Sequence, residues 1–138
     1  MTSKITYLGD LRTSSIHVSS GSEIISDAPV DNHGKGEAFS PTDTVANALA
    51  TCMFTVMGIK AQSMDVDFSG ATAEVTKVMG NDPRRITEIH VVFNMNVSPD
   101  DKTKTVLEKT AMTCPVLQSL HPDIVKDVVF NWRSQSGI

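Results

Sequence analysis

Ser40-Pro41-Thr42-Asp43-Thr44-Val45-Ala46-Asn47-Ala48-Leu49-Ala50-Thr51-Cys52-Met53-Phe54-Thr55-Val56-Met57-Gly58-Ile59-Lys60-Ala61 is the stretch around which the rest of the chain organises. Ser40 is a capping residue, Pro41 suits the first helical position, and Asp43 complements the positive end of a helix. A helix is therefore predicted over 41–61. Val45, Ala46, Ala48, Leu49, Ala50, Cys52, Met53, Phe54, Val56 and Met57 cover nearly its whole circumference. A helix apolar on all sides belongs at the centre of a protein, buried in the protomer or in a dimer.

Outward from this helix the signals alternate. Upstream, Ile5 and Tyr7, then Ile16 and Val18, flank Gly9-Asp10-Leu11-Arg12, which predicts a hairpin. Ile24-Ile25 is a third short strand, and the segment 27–37, with Pro29, Asn32, Gly34 and Gly36, reads as a loop. Downstream, 71–79 is a strand and Asn81-Asp82-Pro83 a turn. Ile89, Val91, Phe93, Met95 and Val97 then alternate with Glu88, His90, Asn94 and Asn96, a strand with one wet face. Ser98-Pro99-Asp100-Asp101 repeats the helix-start signal, and the second helix should reach about Met112. Cys114-Pro115 interrupts it, because proline disfavours helical backbone at the residue before it. Val116, Leu117 and Leu120 suit a resumed helical turn, and Val128, Phe130 and Trp132 form a last strand. The order βββ-α-ββ-α-β predicts an α+β fold.

The 138 residues suit a single domain, 1–138, large enough for its own core. Twelve basic residues, scattered and outnumbered by 16 acidic ones, argue against a nucleic-acid partner. Residues 1–11 hold no apolar run of signal-peptide type, and the charge-free stretch 44–59 is shorter than a bilayer span. Two cysteines make no disulfide framework, so the expected setting is the cytoplasm, without a membrane.

Cys52 and Cys114 are the residues that can carry chemistry. A cysteine attacks only as thiolate, and burial alone opposes ionisation, so a reactive cysteine in an apolar helix needs a cation nearby. The first half offers Lys4, Arg12, Lys35 and Lys60. Two cysteines are the minimum for a cycle in which one thiolate becomes sulfenic acid and the other condenses with it. From the two cysteines alone, the favoured reading is that both are small core residues. His17, His33, His90 and His121 show no metal-ligand spacing and neither cysteine has a CxxC partner, so no metal and no cofactor are expected. His33 could reach a site mouth from its loop, although a solvated loop histidine is the simpler reading. Gly34-Lys35-Gly36 lacks the strand-and-helix setting of a phosphate loop. Phe39, Met53, Phe54 and Met57 are candidates to line an apolar pocket beside Cys52, or else plain core.

Ser40-Pro41-Thr42-Asp43-Thr44-Val45 through Ala48-Leu49-Ala50-Thr51-Cys52, with Ala111-Met112-Thr113-Cys114-Pro115-Val116, resembles the OsmC/Ohr family of osmotically inducible and organic-hydroperoxide-resistance proteins. The resemblance runs over almost the whole chain. It implies an α+β protomer with two long central helices in an intertwined homodimer, and active sites at the subunit interface. It implies a thiol peroxidase acting on organic hydroperoxides and regenerated by an external dithiol. By resemblance Cys52 is the peroxidatic thiol, Cys114 the resolving thiol and Arg12 the arginine that stabilises the thiolate. Hydroperoxide-resistance members carry Asn-Pro-Glu before the first helix, the glutamate holding the arginine. Here the triplet is Ser40-Pro41-Thr42, and Asp43, one residue on, is the candidate substitute, with helix capping as its other reading. The alternative function is an OsmC-like stress protein that binds a small apolar ligand without peroxidase turnover.

Overall fold

In the computed structural model, which describes residues 1–134, the elements are β1 (Ser3–Gly9), β2 (Arg12–His17), β3 (Glu23–Asp27), α1 (Pro41–Ser63), β4 (Thr72–Gly80), β5 (Arg85–Asn94), α2 (Asp101–Ala111), α3 (Pro115–Ser119) and β6 (Val125–Asn131). The chain divides into two compact units, 1–45 and 46 onward, each with its own three-stranded sheet.

In the first unit β1, β2 and β3 pair antiparallel in sequence order. Gly9 and Arg12 face each other across a two-residue turn. Asp10 and Leu11 both take positive φ, 53° and 63°, as the tight hairpin turn that matches strand twist requires. Leucine rarely adopts this backbone, and the tip is braced: Leu11 N donates to Tyr7 Oη at 3.2 Å and Leu11 O accepts from Ala28 N at 3.0 Å. The register places Ile5, Tyr7 and Ile24 on one face, with Ser15, Thr13 and Ser26 opposite them. These three apolar side chains are 61–67% exposed, so this sheet has an uncovered apolar face within the protomer.

The second unit holds the core. β4 and β5 pair antiparallel, and β6 lies parallel on the other edge of β5. α2 and α3 supply the crossover that a parallel neighbour needs. Ile89, Val91, Phe93 and Met95 are buried, as the alternation predicts, and pack with Ala46, Leu49, Ala50, Met53 and Met57 of α1 and with Ala111 and Cys114. Phe93 stacks on Phe130 at 5.2 Å between centroids and meets Phe54 edge-on at 4.8 Å, a favourable aromatic geometry.

α1 starts where Ser40 caps it. Ser40 Oγ accepts from Asp43 N at 3.0 Å, and Asp43 Oδ2 accepts from Ser40 N at 3.0 Å. This reciprocal capping box satisfies two amide groups that a helix start leaves open, and such a cap contributes about 1 kcal/mol. The repeated signal at 98–101 works differently. Asp100, not Ser98, caps α2 by accepting from Thr103 N at 2.8 Å, so Pro99 falls outside the helix. Two expectations change. α2 has 11 residues against 23 in α1, so only the first helix is long. α1 also exceeds the charge-free stretch, and by length and composition it could cross a membrane. Its buried face packs into the core instead, while Val45, Thr51, Thr55 and Ile59 remain exposed on the opposite side. The all-round apolar helix is thus only half covered within the protomer.

Candidate active site

The two cysteines, 62 positions apart in sequence, come together in the second unit. Cys52 lies on α1 beside the buried stripe and is partly exposed; Cys114 is fully buried. Proline explains the placement of Cys114. The residue before Pro115 is held extended, at φ −61° and ψ 140°, which ends the preceding turn and makes Cys114 the cap of α3. Its Sγ accepts from Leu117 N at 3.3 Å. Both cysteines are free thiols; Cys52 packs against the buried cluster that contains Cys114, close enough to influence the ionisation of that thiol.

Burial pushes the Cys114 thiol up. The Leu117 amide, and to a lesser degree that of Val116, opposes this, while the neighbouring Cys52 raises it further. Cys114 therefore keeps its proton, and Cys52 is the member of the pair that solvent can approach.

Arg12 stands at the start of β2 in the first unit, directly across from Asp27 on β3. Its Nε donates to Asp27 Oδ1 at 2.7 Å and its Nη2 to Asp27 Oδ2 at 2.9 Å, a two-bond fork that suits guanidinium and carboxylate. Nη2 also donates to Glu37 Oε2 at 3.2 Å. The Arg12 pair holds the Asp27 carboxyl below the usual carboxylate range, and the two acids hold Arg12 firmly charged. Asp43 supplies its carboxylate to the α1 cap, as described above. The anchors of Arg12 visible here, Asp27 and Glu37, were missed in the sequence. An Arg and an Asp at paired positions of adjacent strands was the available signal, but the turn at 18–22 left the register of β3 open.

The expected pocket beside Cys52 takes a different form. Met53 and Met57 are fully buried core residues, so they line no opening. Phe54 does line a cavity of about 310 Å³, together with Gly58, Ala61, Gln62 and residues of the 66–71 loop. At roughly 100° per residue, these α1 positions centre about 130° around the helix from Cys52, so this cavity opens on another flank. His33 is exposed on its loop, and His121 and His17 are also at the surface. His90 sits on the outer face of its sheet between Asp127 (Nδ1 to Oδ2, 3.0 Å) and Glu88 (Nε2 to Oε1, 3.2 Å). Among the described residues no group of three side chains is arranged to hold a metal ion.

The family model described as OsmC-like protein matches residues 34–128 of this chain. The chain belongs to the OsmC/Ohr family. Among solved structures, this OsmC-like protein is 59% identical, with a TM-score of 0.92, to a protein of Psychrobacter arcticus 273-4 provisionally named as an osmotic stress induced and detoxification response protein. That match covers 95% of this chain and 96% of the other. It shares its fold with an organic hydroperoxide resistance protein OsmC of Legionella pneumophila, at TM-score 0.73, 11% identity and coverage of 95% and 97%. The same holds for an organic hydroperoxide resistance protein of Elizabethkingia anophelis, at TM-score 0.74, 14% identity and coverage of 96% and 97%. No curated protein matches the chain in sequence. The expected family and its α+β fold are thus borne out.

Proposed function

We propose that this protein is a thiol-dependent peroxidase that reduces organic hydroperoxides in stress defence. The observation that carries the reading is the meeting of Cys52 and Cys114, one approachable and one buried, across 62 residues of chain. Family membership and the names of the two hydroperoxide-resistance structures support the substrate class.

The Cys52 thiolate attacks the distal oxygen of ROOH. The O–O bond breaks, an S–O bond forms, and the alkoxide leaves as ROH after taking a proton. The Cys114 sulfur then attacks the Cys52 sulfenic acid, releasing water and forming the disulfide. An external dithiol returns both thiols by exchange. The family resemblance makes Arg12 the candidate for the cation that the Cys52 thiolate needs. The whole chain acts as one domain in a cytoplasmic homodimer, for which the uncovered apolar faces of the first sheet and of α1 are the support.

One equivalent of an organic hydroperoxide should remove two titratable thiols per chain. Cys52→Ser should abolish this loss, while Cys114→Ser should retain a sulfenic acid on Cys52. Turnover that survives Cys52→Ser would refute the mechanism. The 310 Å³ cavity favours a second reading, a binder of small apolar molecules; unchanged thiols in the wild type would select it.

A further inference from the structure

The cavity beside the C-terminal half of α1 has a definite chemistry. Phe54 from α1 and Phe68 from the following loop set two rings in its wall, stacked at 6.1 Å between centroids and 25° between planes. Gly58 is the α1 wall position without a side chain. Its φ lies outside the left-handed region, so the backbone does not ask for glycine there, and glycine inside a helix costs stability. A Cβ at Gly58 would meet one atom within 4 Å, Phe68 Cζ at 3.9 Å, an ordinary contact. The absent side chain therefore leaves open the space in front of the Phe68 ring.

This wall is fixed before any ligand arrives. Phe54 stands edge-on against the buried Phe93 at 4.8 Å. The loop is tied at three points: Val66 N donates to Ala61 O at 3.0 Å, Ala71 N to Phe68 O at 2.9 Å and Asn96 Nδ2 to Ser69 O at 2.7 Å. Asp67, exposed at the rim, is the charged residue of the described lining. Its Oδ1 accepts from Ser69 N at 2.9 Å and from Ser69 Oγ at 2.6 Å, and these bonds hold the carboxyl below the usual carboxylate range. Oδ2 has no hydrogen-bond partner among the described residues.

We propose that this cavity is a binding site, separate from the cysteine pair, for a small arylalkyl amine in its ammonium form. The aromatic ring of the ligand packs against Phe54 and Phe68, and its ammonium group donates to Asp67 Oδ2 at the rim. A volume of about 310 Å³ holds one ring and a short chain, at the small end of ligand sites. A ligand ending in a carboxylate meets like charge at Asp67 and is disfavoured. The thiol cycle uses none of these residues, since the cavity centres about 130° around α1 from Cys52. The assignment gives the binding reading above its ligand class, and rests on that reading only for the existence of a ligand.

Three probes that share a phenyl ring and a short chain test it: 2-phenylethylamine, 2-phenylethanol and 3-phenylpropionate, titrated calorimetrically into the full-length protein at neutral pH. The amine should bind about fivefold tighter than the alcohol, the upper end for an exposed ion pair, and the carboxylate should bind weakest. Asp67→Asn keeps an oxygen for Ser69 and should bring the amine down to the affinity of the alcohol. Gly58→Leu fills the space before Phe68 and should abolish binding of all three; where that variant does not fold, Asp67→Asn still decides. No binding at millimolar probe, equal affinity of amine and alcohol in the wild type, or binding that survives in folded Gly58→Leu would each overturn the proposal. Affinity that falls as protein concentration rises would give the cavity to a second copy of the chain and overturn it too. Cys52→Ser should bind the amine as the wild type does, so a failed thiol cycle leaves the site standing. Hydroperoxide-driven loss of thiols in a protein indifferent to the amine would sink the site and leave the peroxidase reading intact.

Discussion

Oxidation of the Cys52–Cys114 pair should change the stability of the protein by an amount set by the chain between them. The two residues are 62 positions apart, and in the reduced protein their side chains are already neighbours. Bridging them asks little of the folded state and removes loop-closure freedom from the unfolded one. For a loop of this length the chain-entropy argument gives about 4 kcal/mol of stabilisation. With an unfolding entropy of about 2.1 cal/mol/K per residue, that corresponds to a rise in Tm of about 15 °C for a chain of this size. The assay is unfolding of reduced and peroxide-treated protein at one protomer concentration, followed by fluorescence of Trp132, the sole tryptophan. Trp132 reports on the core because its Nε1 donates to Glu108 Oε2 at 2.9 Å and its ring packs on the buried cluster. Cys114→Ser should show no such rise after the same treatment. Loss of two thiols with an unchanged or lowered Tm would refute the reasoning, since it would mean that the bridge strains the fold or joins different chains.

Two further outcomes follow from the same geometry. His90 is raised above its ordinary range by its bond to Asp127 first and by Glu88 second, with Thr76 opposite it on β4. The folded state thus prefers the imidazolium: its contribution is complete below the ordinary imidazole range and fades as pH rises through the raised value. His90→Gln should flatten that part of the stability–pH curve, and a curve with unchanged slope in urea titrations would contradict the assignment. On the first sheet, Ile5→Glu places a charge in the middle of the exposed Ile5–Tyr7–Ile24 face. If a second copy covers that face, analytical ultracentrifugation should show the variant shifted from dimer to monomer at micromolar concentration. An unchanged sedimentation coefficient would assign the face to some other role.

Much of the fold could be read locally. Ser40-Pro41-Thr42-Asp43 encodes a capping box within four residues, and the helix after it forms as expected because no breaker interrupts it. The alternation from Ile89 to Met95 states which face of β5 is buried, since side chains on a strand point to opposite sides in turn. Gly9-Asp10-Leu11-Arg12 marks its own turn. The pocket was not legible in the same way. An apolar residue on a helix looks alike whether it fills the core, as Met53 and Met57 do, or borders a cavity, as Phe54 does.

What the sequence by itself determined is therefore the set of elements, the two cysteines able to react, and the single arginine that the family resemblance selects. These rest on short-range rules: capping, periodicity and the backbone restriction that Pro115 imposes on Cys114. Only the tertiary structure decided that the cysteines meet, that β6 lies parallel to β5, and that Asp27 and Glu37 share Arg12. Each of those depends on pairing between residues far apart in the chain, and pairing of that kind is selected by the packing of the whole core and by strand register, which no short window of residues encodes.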